Sequence, residues 1–248
     1  MTSDESHGPN ALEALVQVPA THYGKEYDSL ERFQSYWHQL HEAAELGGSI
    51  LEIGIGNGTV SSILRSRGLE VVTADIDGKL GPDVVADVRE LPFADRSFDG
   101  TLACEILEHI PWGDLPRALG ELRRVTRRWA LLSVPSVGPA ATLQASLPNA
   151  LHIVRMMVRR RWGIRDGLWA LSQSAVWKRA GGTVSCVGAV EPVRRRTHAF
   201  DGQHEWVLGE DGRTAEHLRA LATASGFASV REFRPEGAVS HHFFVLQQ

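Results

Sequence analysis

Cysteine is nearly absent: the 248-residue chain holds two, Cys104 and Cys186, and they form no C-x-x-C pair. A disulfide framework and a thiolate zinc cluster are excluded, and a reducing compartment is expected. No apolar run approaches the roughly 18 residues that a membrane-spanning helix needs. Residues 1–10 are polar and acidic, without the basic end and apolar stretch of a secretion signal. A cytoplasmic location is the resulting expectation. Positive charge is not in excess: 26 Lys and Arg stand against 30 Asp and Glu, a formal net charge of −4. A global pull towards nucleic acid is therefore missing. What the chain does have is 43% hydrophobic residues, enough for one large α/β domain or a domain plus a cap.

The most informative stretch is Leu51-Glu52-Ile53-Gly54-Ile55-Gly56-Asn57-Gly58-Thr59-Val60. It reads as a buried strand, a glycine-rich turn and the start of a helix. Such a turn brings bare backbone N–H groups and the positive end of a helix up to a ligand. A side chain on the glycines would block close approach and resist positive φ. A P-loop is ruled out because no G-K-[ST] follows. The dinucleotide fingerprint G-x-G-x-x-G/A is also missed, since Thr59 stands where a third small residue is needed.

Three further segments follow in order. Leu69 to Asp75 is β-branched and apolar and ends on a carboxylate nineteen residues past Gly56. An acid about 20 residues on, at the tip of the second strand, accepts ribose hydroxyls in a Rossmann-like unit. Asp77 is a weaker candidate for the same role. Pro82 to Phe93 carries Asp87 and Val88 after a short apolar strand, and Ser97 to Pro111 reads as a fourth strand with Cys104 and Glu105 at its end.

These four pieces resemble the type 11 (UbiE-like) subgroup of class I S-adenosylmethionine (SAM) methyltransferases. The resemblance implies SAM as cofactor, with Glu52, Gly54, Gly56, Asn57, Asp75, Ile76, Asp87, Val88, Cys104 and Glu105 around it. In it Asp75 takes the ribose, Asp87 the adenine amino group and the Val88 N–H the ring. The backbone near Cys104 and Glu105 faces the methionine part. The implied fold is α/β and Rossmann-like, with a seven-stranded, mostly parallel sheet whose last strand is antiparallel.

Periodicity supplies the rest of the order. A helix over about 26–46 carries Tyr27, Leu30, Phe33, Trp37, Leu40 and Ala44 at helical spacing and ends at Gly47-Gly48. A helix over about 57–67 follows the glycine turn. Strands are expected at about 83–86, 98–104 and 129–134, with a helix over about 113–127 between the last two. A helix from Thr214 to Ser225 and strands over 227–233 and 241–246 close the chain. The final connection is too short for a crossover, so the last strand returns antiparallel. Residues 1–48 are assigned as an N-terminal helical cap. Residues 49–137 and 201–248 form the cofactor-binding core, and residues 138–200 an inserted substrate lid.

The insert is expected to be helical, since Leu143, Leu147, Leu151, Val154 and Val158 recur at helical spacing. Between 139 and 180 it bears Arg155, Arg159, Arg160, Arg161, Arg165, Lys178 and Arg179 against one acid, Asp166. An anionic acceptor or peripheral contact with an anionic membrane would each suit that charge.

Methyl transfer from a sulfonium needs the acceptor positioned and, for a hydroxyl, its proton removed. Histidine suits the base role. His109, His198, His204 and His241 are candidates. His204 with Glu205, in Gly202-Gln203-His204-Glu205-Trp206, is assigned as a pocket pair beside His109. The spacing Glu105-x-x-Glu108-His109 resembles the divalent-metal site of some O-methyltransferases, with His198 or His204 able to add a ligand. Many members of the resembling family carry the same run without metal, and no metal is assigned. The expected activity is methylation of an oxygen or nitrogen of a small molecule or a glycan or lipid-linked precursor. The alternatives are an RNA methyltransferase, though no N-P-P-Y-like tetrapeptide follows the fourth strand, and a catalytically silent SAM-fold interaction protein.

Overall fold

The structure, a computed structural model, describes residues 12–24, 27–137, 140–146, 153–158, 176–180, 183–189, 197–235 and 237–248. In chain order the longer elements are α1 (Leu30–Leu46), β1 (Ile50–Ile53), α2 (Thr59–Ser66), β2 (Val71–Asp75), β3 (Val84–Val85) and β4 (Phe98–Cys104). They continue with α3 (Leu115–Val125), β5 (Thr126–Pro135), β6 (Ala140–Ser146), β7 (Ile153–Val158), β8 (Val176–Ala180) and β9 (Thr183–Ala189). The last three are α4 (Ala215–Ala224), β10 (Ser229–Phe233) and β11 (His241–Gln247).

Seven of these strands form one sheet in the order β10-β11-β5-β4-β1-β2-β3. β1 to β5 pair in parallel, and β11 alone runs against its neighbours. The expected mostly parallel, seven-stranded architecture is what the chain adopts. Strand alternation splits the core in two. Leu51, Ala103, Leu132 and Phe244 face α3 and α4, while Ile50, Leu102, Leu131 and Phe243 face α1 and α2. Both faces of the sheet are covered, which is why its strands read as continuous apolar runs.

Local signals place the helices. The Ser29 side chain accepts the Arg32 N–H at the start of α1, and Gly47, at φ +62°, ends it. Thr214 caps α4 in the same way through the His217 N–H. The buried face of α3 is Leu115, Ala118, Leu119, Leu122 and Val125, as its spacing required. α1 departs from expectation. It buries Tyr36, Gln39, Leu40 and Ala43, while Leu30, Phe33 and Trp37 are 59%, 51% and 57% exposed. Tyr27 lies outside the helix. Two apolar stripes compete on this helix, and the one that faces β4 and β5 is the one buried.

The insert corrects a second expectation. Its described part is not helical. β6 to β9 form an antiparallel four-stranded sheet in the order β7-β6-β9-β8. Leu143 lies on β6 and Val154 and Val158 on β7, so the spacing they share does not mark one helix, and Leu147 and Leu151 lie outside the described residues. Pro148 falls in the middle of the supposed helix. A proline lacks the backbone donor and disfavours the α region for the residue preceding it. The chain leaves the large sheet and returns to it at one place: Ser136 bridges Leu208, and the Val137 N–H donates to the Leu208 carbonyl at 2.8 Å.

Candidate active site

A cavity of about 340 Å³ opens at the carboxyl ends of β1, β2 and β4, where the strand order reverses direction. Ligands of open α/β sheets bind at such a switch point. Val16, Gln17, Tyr23 and Tyr27 from the N-terminal segment, with Arg32, Tyr36 and Gln39 of α1, supply another wall. All ten residues assigned from the sequence to the cofactor lie in the lining: Glu52, Gly54, Gly56, Asn57, Asp75, Ile76, Asp87, Val88, Cys104 and Glu105.

The glycine turn needs its glycines. Gly54 and Gly56 sit at φ +80° and +52°. A Cβ on Gly54 would stand 2.1 Å from the Ile106 side chain, and one on Gly56 would press the Tyr23 ring at 3.3 Å. Asp75 holds the turn from beside it. Its Oδ2 accepts the Ile55 N–H and its Oδ1 the Asp77 N–H, both at 2.9 Å. The Asn57 side chain accepts the Thr59 N–H at the start of α2 and donates to Asp28. Asp87 is forked by the Arg89 guanidinium, which also reaches Asp114.

The lining is acidic. Glu52, Asp75, Asp77, Asp87, Glu105 and Glu205 stand against Arg32 and the already paired Arg89. Burial pushes the Glu52 carboxyl up to about 7, and its Oε2 has no hydrogen-bond partner. Asp75 is also raised by burial, against the opposing bonds from the Asp77 and Ile55 amides. Burial pushes the Cys104 thiol well up, so it is an inert wall residue. Uncompensated carboxyls in a half-enclosed site favour a positively charged ligand.

The turn after β4 forms the far end. Glu105 holds φ +56°, an uncommon left-handed conformation for a residue with a side chain. Its Oε1 accepts the Ser133 hydroxyl at 2.9 Å and lies 3.4 Å from His241 Nδ1. His109 and Glu205 line the cavity, and Gln17 donates to Glu205 at 3.3 Å. His204 does not line it. Its ring lies behind His109, 5.4 Å between centroids, with Nδ1 on Asp201 at 3.0 Å. Of the pair assigned from the sequence, Glu205 lines the cavity and His204 does not, because consecutive side chains on an extended segment diverge.

His198 is no base. Both ring nitrogens face acceptors, the Glu210 carboxylate at 2.9 Å and the His204 carbonyl at 2.7 Å. Burial opposes its charge, but these two bonds outweigh burial and raise its pKa. His241 is buried against Ser35 and Glu105. The motif reading missed Tyr23, Tyr36 and Arg32. The signal was in the composition: the chain has three tyrosines, and all three line this cavity. Arg32 stacks over the Tyr27 ring at 4.1 Å.

Fold and cavity together define a Rossmann-like protein that holds a nucleoside-bearing cofactor at its switch point. A family model described as a methyltransferase domain matches residues 51–134. An "Uncharacterized methyltransferase" of Mycobacterium sp. (strain KMS) is 32% identical over 216 residues, 77% of this chain and 85% of that protein. A demethylmenaquinone methyltransferase of Beutenbergia cavernae is 29% identical over 168 residues, 56% of this chain and 69% of that protein. Among solved structures, the Burkholderia thailandensis 1,6-didemethyltoxoflavin-N1-methyltransferase with bound S-adenosylhomocysteine shares the fold. Its TM-score is 0.52 at 14% identity, covering 100% of this chain and 93% of that one. The chain belongs to the SAM-dependent methyltransferases.

The cavity fits that cofactor. SAM carries a sulfonium and an ammonium, and the wall offers carboxyls with Glu52 Oε2 unpartnered. The glycine turn brings bare backbone to the cavity wall, where a Cβ on Gly54 would collide with Ile106 and one on Gly56 would press Tyr23.

Proposed function

We propose that the enzyme methylates an oxygen or nitrogen of a small molecule or a glycan or lipid-linked precursor, admitted beside His109 and Glu205. Strand order supports the cofactor's direction: Asp87 follows β3 at one edge, and Glu105 follows β4 beyond β2 and β1. On this reading Asp87 and Val88 hold adenine and Asp75, flanked by Ile76, holds the ribose. Glu52, the Gly54–Gly56 turn and the Cys104–Glu105 backbone hold the methionine part, with Asn57 fixing the turn. Bound SAM supplies a methyl group already activated by the sulfonium. The chain's own task is positioning and proton removal.

The observation that carries the reading is the state of His109. Its Nδ1 lies 2.7 Å from the Gln203 carbonyl, so Nδ1 carries the hydrogen and Nε2 the lone pair. Burial lowers its pKa, against the bond from Gln203, so the ring is neutral near pH 7. A neutral imidazole and a carboxylate therefore share the cavity end that follows β4. An anionic acceptor, expected from the insert's arginines, rests on side chains outside the described residues.

The test is transfer of labelled methyl from SAM to a panel of hydroxyl and amine acceptors. Double replacement His109→Gln and Glu205→Gln should lower turnover by about 10²–10⁴, the usual worth of acid–base assistance. SAM affinity should stay within about threefold. Undiminished turnover would remove both residues from the chemistry.

A further inference from the structure

Among the described residues, Glu108, His109 and His204 each present a ligand atom, and these atoms all lie within 4.8 Å of one another. We propose that these three residues bind a divalent ion of the zinc class at the acceptor end of the cavity.

Glu108 is the strongest sign. It is 1% exposed, and neither carboxylate oxygen has a hydrogen-bond partner. A buried carboxyl with both oxygens bare costs several kcal/mol unless something positive or hydrogen-donating meets it. The two imidazoles are oriented as metal ligands are. His109 commits Nδ1 to the Gln203 carbonyl, and His204 commits Nδ1 to the Asp201 carboxylate. Each leaves Nε2 with the lone pair. A carbonyl or carboxylate on the remote ring nitrogen is the usual support of a ligating histidine. The two rings lie 5.4 Å apart between centroids, tilted by 32°.

The site is also mechanically joined. The Glu205 N–H donates to the Glu108 carbonyl at 2.7 Å, and Trp206 Nε1 donates to the Ile110 carbonyl at 3.0 Å. The segment bearing His204 is thus tied to the turn bearing Glu108 and His109. Ligand atoms on a tetrahedral ion with bonds near 2.0–2.1 Å stand roughly 3.3 Å apart, so closure by up to about 1.5 Å suffices. Glu105 is not part of the set, because its Oε1 is held by Ser133.

Two nitrogens and one oxygen select the ion. Imidazole suits zinc and its transition-metal neighbours, whereas magnesium keeps an oxygen shell. Three protein ligands leave one position open, and His109 borders the cavity. This refines the function proposed above and rests on it. An acceptor hydroxyl completing the coordination has its pKa lowered. Its proton passes to Glu205, the new O–CH₃ bond forms, and the C–S bond breaks with its electron pair on sulfur. His109 is then a ligand, and oxygen is favoured over nitrogen as the methylated atom.

The experiment is titration of chelator-stripped full-length protein with Zn²⁺ by calorimetry and with Co²⁺ by visible absorption. One ion per chain is expected, with the intense bands of four-coordinate cobalt. Glu108→Gln and His204→Ala should each abolish the bands, and Asp201→Asn should weaken binding by roughly 10–100-fold. SAM affinity, measured in parallel, should be unchanged by His204→Ala. No binding, or bands that survive both Glu108→Gln and His204→Ala, would overturn the site. If the ion binds as stated while SAM does not, the metal site stands and the function proposed above falls.

Discussion

His109 Nδ1 meets the carbonyl oxygen of Gln203 across 94 residues of sequence, at 2.7 Å. That bond does two things. It fixes which nitrogen of His109 carries the lone pair, and it docks the returning end of the insert onto the turn after β4. Beside it the backbone of Glu205 bonds Glu108. A histidine that is alone in its motif thereby acquires Glu205 and His204 as neighbours.

The glycine turn and Asp75 make the first prediction. Asp75 aligns the Ile55 and Asp77 amides, and Gly56 leaves the space beneath Tyr23. Gly56→Val and Asp75→Ala should each weaken SAM or S-adenosylhomocysteine binding at least tenfold, about 1.4 kcal/mol. Calorimetry reads this directly. Unchanged affinity in both would detach the cavity from the cofactor.

Stability has its own marker in β4. A Cβ on Gly100 would overlap the Trp129 ring at 2.1 Å, and Trp129 is anchored by its Nε1–H to the Gly47 carbonyl. Overpacking of a buried site costs typically about 1–3 kcal/mol. Gly100→Ala should therefore lower the melting temperature, by roughly 2–4 °C per kcal/mol in a chain of this size. An unshifted melting curve would mean that the indole does not fill that place.

Glu52 predicts a pH dependence. Its folded-state pKa, raised to about 7 by burial, exceeds its ordinary value of 4.5. The folded state thus binds the proton more tightly than the unfolded state. The stability this contributes is complete below pH 4.5 and is lost as pH rises through 7. Glu52→Gln, neutral throughout, should gain in thermal stability relative to the parent between pH 5 and pH 8 without cofactor. A constant difference across that range would show that the carboxyl titrates normally.

The large sheet was legible because each element carried its own local code. The glycine turn, the Ser29 and Thr214 caps and the apolar face of α3 act within a few residues of where they stand. The ten residues assigned from the motifs line one cavity because successive strands of such a sheet deliver their ends to one line. α1 was misread at its face, since Leu30, Phe33 and Trp37 have the same spacing as a core stripe but meet no strand. The described part of the insert was misread in kind, since Leu143, Val154 and Val158 share a helical spacing but belong to two paired strands.

From its residues alone this chain determined the class of sheet, the cofactor and the strand ends that line the cavity, because those depend on short-range patterns and on the fixed geometry of β-α units. Tertiary structure decided the acceptor end. Glu108, His109 and His204 gather only when the segment after the insert folds back on β4. No spacing along the chain encodes that meeting.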